Sequence, residues 1–289
     1  HSPYDPPQHF YDLYINRTDL PKPYTSEWSK KYESDEIPSI LAWKGSIPED
    51  QIHRARAAYY GSVTQTDYQI AKVLTTLNKA KLLDEMLIIF TSDHGDMLGD
   101  HNLWRKTYAY EGSAHIPLII KLPKSMAAKQ VAQCHTAVSL YDILPTVMDV
   151  CSIPIPANIE GISLVDGMIG KPIDRTYVIG EHWSTYAEEE ENFYVTDGRY
   201  KYIWFFRSGQ EAFFDLREHR NEEINEIDNP AYQSIIEEMR AYTVNELEER
   251  NTKDVTFTKD GMLKSIGSAS IVSPHYLDRL NSSEYKWLP

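Results

Sequence analysis

The side chains best suited to chemistry in this chain are Asp93 and His94, in the stretch Thr91-Ser92-Asp93-His94-Gly95-Asp96-Met97-Leu98-Gly99-Asp100-His101. The stretch follows an apolar run, Met86-Leu87-Ile88-Ile89-Phe90, which reads as a buried parallel strand. A carboxylate and an imidazole at the carboxyl end of such a strand face the crevice in which α/β sheets hold ligands. Gly95 and Gly99 allow the backbone to turn sharply enough for both groups to point at one centre. The pair therefore reads as half of a metal site. The alternative for the same residue types is an acidic, solvated loop with a helix cap.

Positioning such a pair takes a core, and the composition supplies one. At 289 residues, 42% hydrophobic and 25% charged, the chain is too apolar for disorder and long enough for one large domain or a domain with a subdomain. A net charge of −14 disfavours nucleic acid or an anionic membrane as a partner. No apolar run approaches the ~20 residues that cross a bilayer. The two cysteines, Cys134 and Cys151, make no disulfide scaffold and read as free core thiols.

Residues 1–48, broken by Pro3, Pro6, Pro7, Pro21, Pro23 and Pro38, read as an ordered surface loop. From Pro48 to Asp84 the apolar positions Ile52, Ala55, Tyr59, Val63, Ile70, Val73 and Leu77 recur at helical spacing and predict one long amphipathic helix. Strands at 85–91 and 117–122 and a helix at 139–151 continue an α/β alternation, with the two strands as neighbours in a mostly parallel sheet. Beyond Ile153-Pro154-Ile155-Pro156 the strands follow one another directly, at 176–181, 192–197, 200–206 and 212–215, before a helix at about 230–250. Consecutive strands imply a separate antiparallel sheet. The expected fold class is thus α/β, a mostly parallel sheet with flanking helices in residues 1–155, and a small antiparallel α+β subdomain in 156–289. The tail from Asn251 is expected to wrap the surface.

Thirteen residues after Asp93 comes Lys106, in Leu103-Trp104-Arg105-Lys106-Thr107-Tyr108-Ala109-Tyr110-Glu111-Gly112-Ser113-Ala114-His115-Ile116-Pro117. This combination resembles the sulfatase family of the alkaline phosphatase superfamily. The likeness continues through Ser139-Leu140-Tyr141-Asp142-Ile143-Leu144-Pro145, Glu160-Gly161-Ile162-Ser163-Leu164, Arg199-Tyr200-Lys201-Tyr202-Ile203 and Phe213-Phe214-Asp215, and spans His1 to about Glu249. It implies an alkaline-phosphatase-like fold, a metal held at Asp93 and His94, and a sulfate oxygen held by Lys106. It favours Ca²⁺ at Asp93, which suits a hard, oxygen-preferring ion. An imidazole is more at home on zinc, so His94 alternatively hydrogen-bonds the nucleophile or a sulfate oxygen. The same Asp-His-Gly string occurs in phosphatase and phosphodiesterase branches, where Zn²⁺ or Mn²⁺ would be the ion; the offset of Lys106 tips the reading toward a sulfatase. The opening His1-Ser2-Pro3-Tyr4-Asp5-Pro6-Pro7 resembles the family's F-H-x-P-H-x-P segment, which makes His1 a sulfate contact and general acid, with Tyr4 in place of the second histidine.

The resemblance also defines what these residues omit. The family's nucleophile is a formylglycine made within C-x-P-S-R or S-x-P-S-R, and two further metal-binding aspartates lie on the first strand. Neither Cys134-His135-Thr136 nor Cys151-Ser152-Ile153 matches. The expectation is therefore the C-terminal portion of a longer enzyme, partnered by its N-terminal portion, inactive by itself, and acting on an aryl or glycan sulfate ester. A phosphodiester or phosphonate monoester hydrolase, and a non-catalytic anion-binding relic, are the alternatives. The family implies a periplasmic, secreted or lysosomal location. An acidic chain repels anionic substrates at long range, so local cations must draw them in.

Asp100, His101, Trp104 and Arg105 are further candidates for binding a sugar ring and its acidic substituents, with loop packing and a salt bridge as the equal alternative. His115 reads as structural, and His182-Trp183 as a weaker pocket candidate. Glu188 to Glu191 read as a solvated loop. Asp67 reads as a packing or capping residue. Asn16-Arg17-Thr18 and Asn281-Ser282-Ser283 fit the glycosylation pattern.

Overall fold

A computed structural model of the protein describes residues 3–33, 44–127, 130–183, 188–250 and 256–267. The proline-rich start is mostly loop, but one helical turn, α1 (Gln8–Tyr11), and a 3-10 helix at Glu27–Tyr32 form within it. The periodic segment forms a single long helix, α2 (Glu49–Lys79), with Glu49 and Asp50 in the first turn, where negative charge suits the helix dipole. α1 crosses it at Gly61, where an added Cβ would lie 3.1 Å from the Phe10 carbonyl. Only Arg56, Ala57, Ala58 and Gly61 of α2 are buried; Val63, Tyr68 and Val73 stand more than half exposed.

β1 (Ile88–Thr91) and β2 (Leu118–Lys121) are neighbours, as expected, but they run antiparallel, with Ile88 opposite Lys121 and Thr91 opposite Leu118. The parallel arrangement of these two strands is thereby corrected. A parallel return needs a crossover that packs back on the sheet. The intervening residues instead form loops, a 3-10 turn at Asp100–Asn102 and one short α-helical turn, α3 (Glu111–Ala114). α4 (Ile143–Val150) and α5 (Val165–Met168) follow. Asp142, fully buried before α4, accepts the amides of Ser139 and Ile162 and a bidentate pair from Arg175.

β3 (Val178–His182), β4 (Asn192–Thr196), β5 (Tyr200–Phe205) and β6 (Gln210–Asp215) form the separate antiparallel meander that the consecutive strands predicted. Strand alternation gives it two buried faces. Phe193, Val195, Tyr202, Trp204 and Phe213 pack on Ile236, Met239 and Leu247 of α6 (Gln233–Glu248). Ile203, Phe205, Ala212 and Phe214 pack on Tyr32, Met97, Leu103, Tyr108 and Tyr110. The second face supports the loop carrying Asp93 and Lys106. The tail contributes a small hairpin, β7 (Thr258–Lys259) and β8 (Met262–Leu263), and buries Phe257 in the α6 core; this part does more than wrap the surface.

Two smaller readings are also corrected. Glu190 and Glu191 are buried, because Tyr32 donates to Glu190 and Arg207 pairs with Glu191. Cys134 and Cys151 are free, as expected, but exposed.

Candidate functional site

Asp93, His94 and Lys106 line one open cleft of about 1520 Å³, between the end of β1, the α3 segment and the β3–β4 edge of the meander. The turn after β1 is built by its own polar groups. Asp93 accepts the His94 amide at 3.0 Å, and the Ser92 hydroxyl donates to the His94 carbonyl at 2.7 Å. His94 Nδ1 donates to the Gly95 carbonyl at 2.8 Å, leaving Nε2 3.6 Å from Asp93. The Asp93 carboxylate is exposed; its slight burial raises its pKa, but the His94 ring and neighbouring amides outweigh that and hold it below the ordinary carboxylate range. It stays anionic across the neutral range.

Asp96, to which the sequence reading assigned no role, organises the loop between Asp93 and Lys106. One oxygen accepts the amides of Leu98 and Arg105, at 3.0 and 3.1 Å, and the other accepts the Tyr4 hydroxyl at 2.6 Å. Burial, with Asp96 beside it, pushes the Tyr4 hydroxyl well above the usual phenol range, so it remains a donor. The available signal was the aspartate's habit of closing a turn onto an amide two residues ahead. Leu98, His101, Asn102, Arg105 and Thr107 all have positive φ, an unusual concentration for residues other than glycine. Such strain gathers at functional sites and survives only where surroundings enforce it.

The other candidates separate cleanly. Asp100, His101, Trp104 and Arg105 are not among the residues that line the cleft. Asp100 pairs with buried Arg56 at 2.5 Å. His101 is 2% exposed; Nε2 donates to the Asn221 carbonyl at 2.8 Å, Nδ1 accepts from Ser26 at 3.0 Å, and the ring lies against Trp28. Trp104 is buried against Gly99. Inside the protein these three side chains clasp the loop to α2, to the N-terminal segments and to the segment after β6, which is the packing alternative for these residues. Arg105 holds the loop through its backbone. His1 lies outside the described residues. His115 and His182 both line the cleft, and His115 Nδ1 donates to Glu111 at 2.6 Å.

The donor set for a metal is partial. Among the described residues no group of three or more His, Cys, Asp or Glu side chains is placed to hold an ion. Ca²⁺ takes six to eight oxygens. Asp93 and His94 by themselves do not fit a complete site. Among the described residues, no helix is long and apolar enough to cross a membrane.

The family model described as Sulfatase matches residues 1–153, and that of the N-sulphoglucosamine sulphohydrolase C-terminal region matches residues 99–250. An arylsulfatase of Clostridium perfringens is 38% identical over 253 residues, covering 86% of this chain and 52% of the relative. The chain thus spans about half the length of that relative. A solved 2-O GAG sulfatase shares 25% identity at a TM-score of 0.64, over 70% of this chain and 44% of its own. The phosphonate monoester hydrolase of Agrobacterium radiobacter shares 27% identity at a TM-score of 0.58, over 70% and 42%. The fold is the alkaline-phosphatase-like α/β fold of the solved relatives.

Proposed function

Because this chain belongs to the sulfatase family, we propose that it forms part of a metal-dependent sulfuric ester hydrolase acting on an aryl or carbohydrate sulfate. The observation that carries the reading is the meeting of Asp93, His94 and Lys106 on one cleft, although the sequence separates the first and last by thirteen residues. Hydrolysis of a sulfate ester breaks the bond to a leaving alcohol while negative charge develops on the bridging and sulfuryl oxygens. A half-buried lysine ammonium held in place beside the reacting group stabilises that charge without the reorganisation that water requires. His115, on the cleft wall with its pKa raised by the hydrogen bond to Glu111, is placed to move a proton near neutral pH.

The family implies a divalent ion, whose chemistry would be to neutralise sulfuryl oxygens. We assign Asp93 as one of its ligands and Ca²⁺ as the ion, with the remaining oxygens coming from residues other than those described. The nucleophile is assigned likewise to another segment of the complete enzyme, since C-x-P-S-R and S-x-P-S-R do not occur in these 289 residues. That segment would also cover Val63, Tyr68 and Val73 of α2 and Phe90 and Ile119 of the β1–β2 pair, all exposed here. A periplasmic, secreted or lysosomal location belongs to the same reading.

The likeness to a phosphonate monoester hydrolase supports a second reading, hydrolysis of phosphonate monoesters or phosphodiesters with Zn²⁺ or Mn²⁺. Assay of the complete enzyme on an aryl sulfate, an aryl phosphonate monoester and an aryl phosphodiester decides between them. Preference for the sulfate, lost on chelation and restored by Ca²⁺, is the expected result. Far better turnover of a phosphorus ester would sink the sulfatase reading.

A further inference from the structure

Lys201, on β5, is a lysine at a core position: its side chain is 2% exposed. Its ammonium donates to the Ala109 carbonyl at 2.8 Å, to Glu111 at 2.6 Å and to Glu222 at 2.9 Å. Those three bonds use all three of its donor protons, so none is left for a ligand although the residue borders the cleft. Glu222, equally buried, turns its other oxygen to the Glu111 amide at 2.7 Å. Burial by itself would lower the lysine's pKa, but the two carboxylates outweigh it and raise it, so the cation persists.

What this node grips is the segment on which both halves of the site rest. The Ser113 carbonyl accepts the Gly95 amide at 2.8 Å, one residue beyond His94. The Ser113 hydroxyl accepts the Tyr108 amide at 3.3 Å, two residues beyond Lys106. The contact at Gly95 is backbone on backbone, since an added Cβ would lie 2.2 Å from the Gly112 carbonyl oxygen. Arg105 and Thr107, flanking Lys106, have φ values of 71° and 87°. A β-branched residue holds that conformation only under external constraint.

We propose that Lys201, on β5 of the meander, and Glu222, in the segment after β6, are positioning residues, which set Lys106 relative to Asp93 and His94 through Ala109, Glu111 and Ser113. The inference rests on the reading of Asp93, His94 and Lys106 as site residues. It extends that reading to two side chains that touch no substrate.

The test uses the complete enzyme, with amide hydrogen exchange and steady-state kinetics on an aryl sulfate. Lys201→Met removes the cation, Glu222→Gln removes one carboxylate at constant volume, and Lys201→Arg keeps the charge. In Lys201→Met and Glu222→Gln the Gly95 and Tyr108 amides should exchange at least ~10-fold faster, while Val195 and Tyr202 in the meander stay as protected as before. Turnover should fall roughly 10- to 100-fold, the scale of a misplaced catalytic group, with KM little changed, and Lys201→Arg should recover part of the loss. If Lys201→Met fails to fold, Glu222→Gln decides on the same measurements. Unchanged Gly95 and Tyr108 exchange in a folded variant overturns the proposal. So does equal loosening throughout the meander, or unimpaired turnover with loosened amides. A wild-type enzyme that hydrolyses no sulfate ester, with the exchange pattern as expected, defeats the sulfatase reading and leaves the positioning role standing.

Discussion

Lys106→Ala in the complete enzyme should lower aryl sulfate turnover roughly 10²- to 10³-fold, the scale of one lost transition-state charge contact. Asp93→Ala should cost at least as much, through weaker retention of the ion, and dialysis against a chelator should affect it more than the wild type. Asp67, exposed on α2, serves as the control: Asp67→Ala should leave turnover unchanged and stability within about 0.5 kcal/mol. His115 tests the electrostatics of the cleft. Its hydrogen bond to Glu111 raises its pKa above 6.5, against burial and the charges of Lys201 and Arg220. A raised folded-state value means that the added stability is fully present below 6.5 and disappears as pH rises through the elevated value. His115→Asn should therefore lower the urea midpoint more at pH 6 than at pH 9. An equal shift at both would show that the pair contributes no charge-dependent stability. At this scale residue type and spacing singled out Asp93, His94 and Lys106, and the fold lines one cleft with all three. For Asp100, His101 and Trp104 the sequence left two readings open, since the same polar and aromatic types serve equally well to bind a sugar or to clasp a loop; in the fold all three pack within the protein.

Among the elements, the loop after β1 depends on close backbone approach to α3. Gly95→Ala should cost ~1–3 kcal/mol by overpacking, because the new methyl meets the Gly112 carbonyl at 2.2 Å and one of the two backbones must move. Turnover should fall by a larger factor than stability alone explains, read as kcat at a temperature where the variant is fully folded. Wild-type turnover in Gly95→Ala would show that the α3 contact does not hold the loop. The Arg56–Asp100 pair anchors the same loop to α2, and Arg56→Ala should cost about 3–5 kcal/mol by stranding a largely buried carboxylate. Periodicity made α2, the four-strand meander and α6 legible in advance, because patterns of 3.6 and of 2 follow from local geometry. It could not give the direction of β2. An isolated apolar run reads the same parallel or antiparallel, and the choice rests on how the intervening chain returns.

For the molecule as a whole, the 289-residue chain assayed alone should release no measurable sulfate from an aryl sulfate, since no residue in it stands in a formylglycine motif. Robust release, free of contaminating enzyme, would show that the nucleophile assignment is wrong. Ile119, 64% exposed, probes the uncovered apolar surface. Ile119→Ser should be nearly neutral in the isolated chain and should cost ~1.5–3 kcal/mol in the complete enzyme, where the side chain would be buried. Equal urea midpoints for wild type and variant in the complete enzyme would leave that face without a partner. The sequence by itself determined the order of the longer elements from α2 to α6, the run of consecutive strands that forms the C-terminal sheet, and the choice of Asp93, His94 and Lys106, because each follows from local pattern or from a short motif. Only the tertiary structure decided that Asp96 organises the loop and that Lys201, from a strand ninety-five residues beyond Lys106 in sequence, supports the segment beneath it. A buried lysine is improbable until its carboxylate partners are in place, and those partners, Glu111 and Glu222, come from opposite sides of it in the chain. Their meeting is a property of the packed fold.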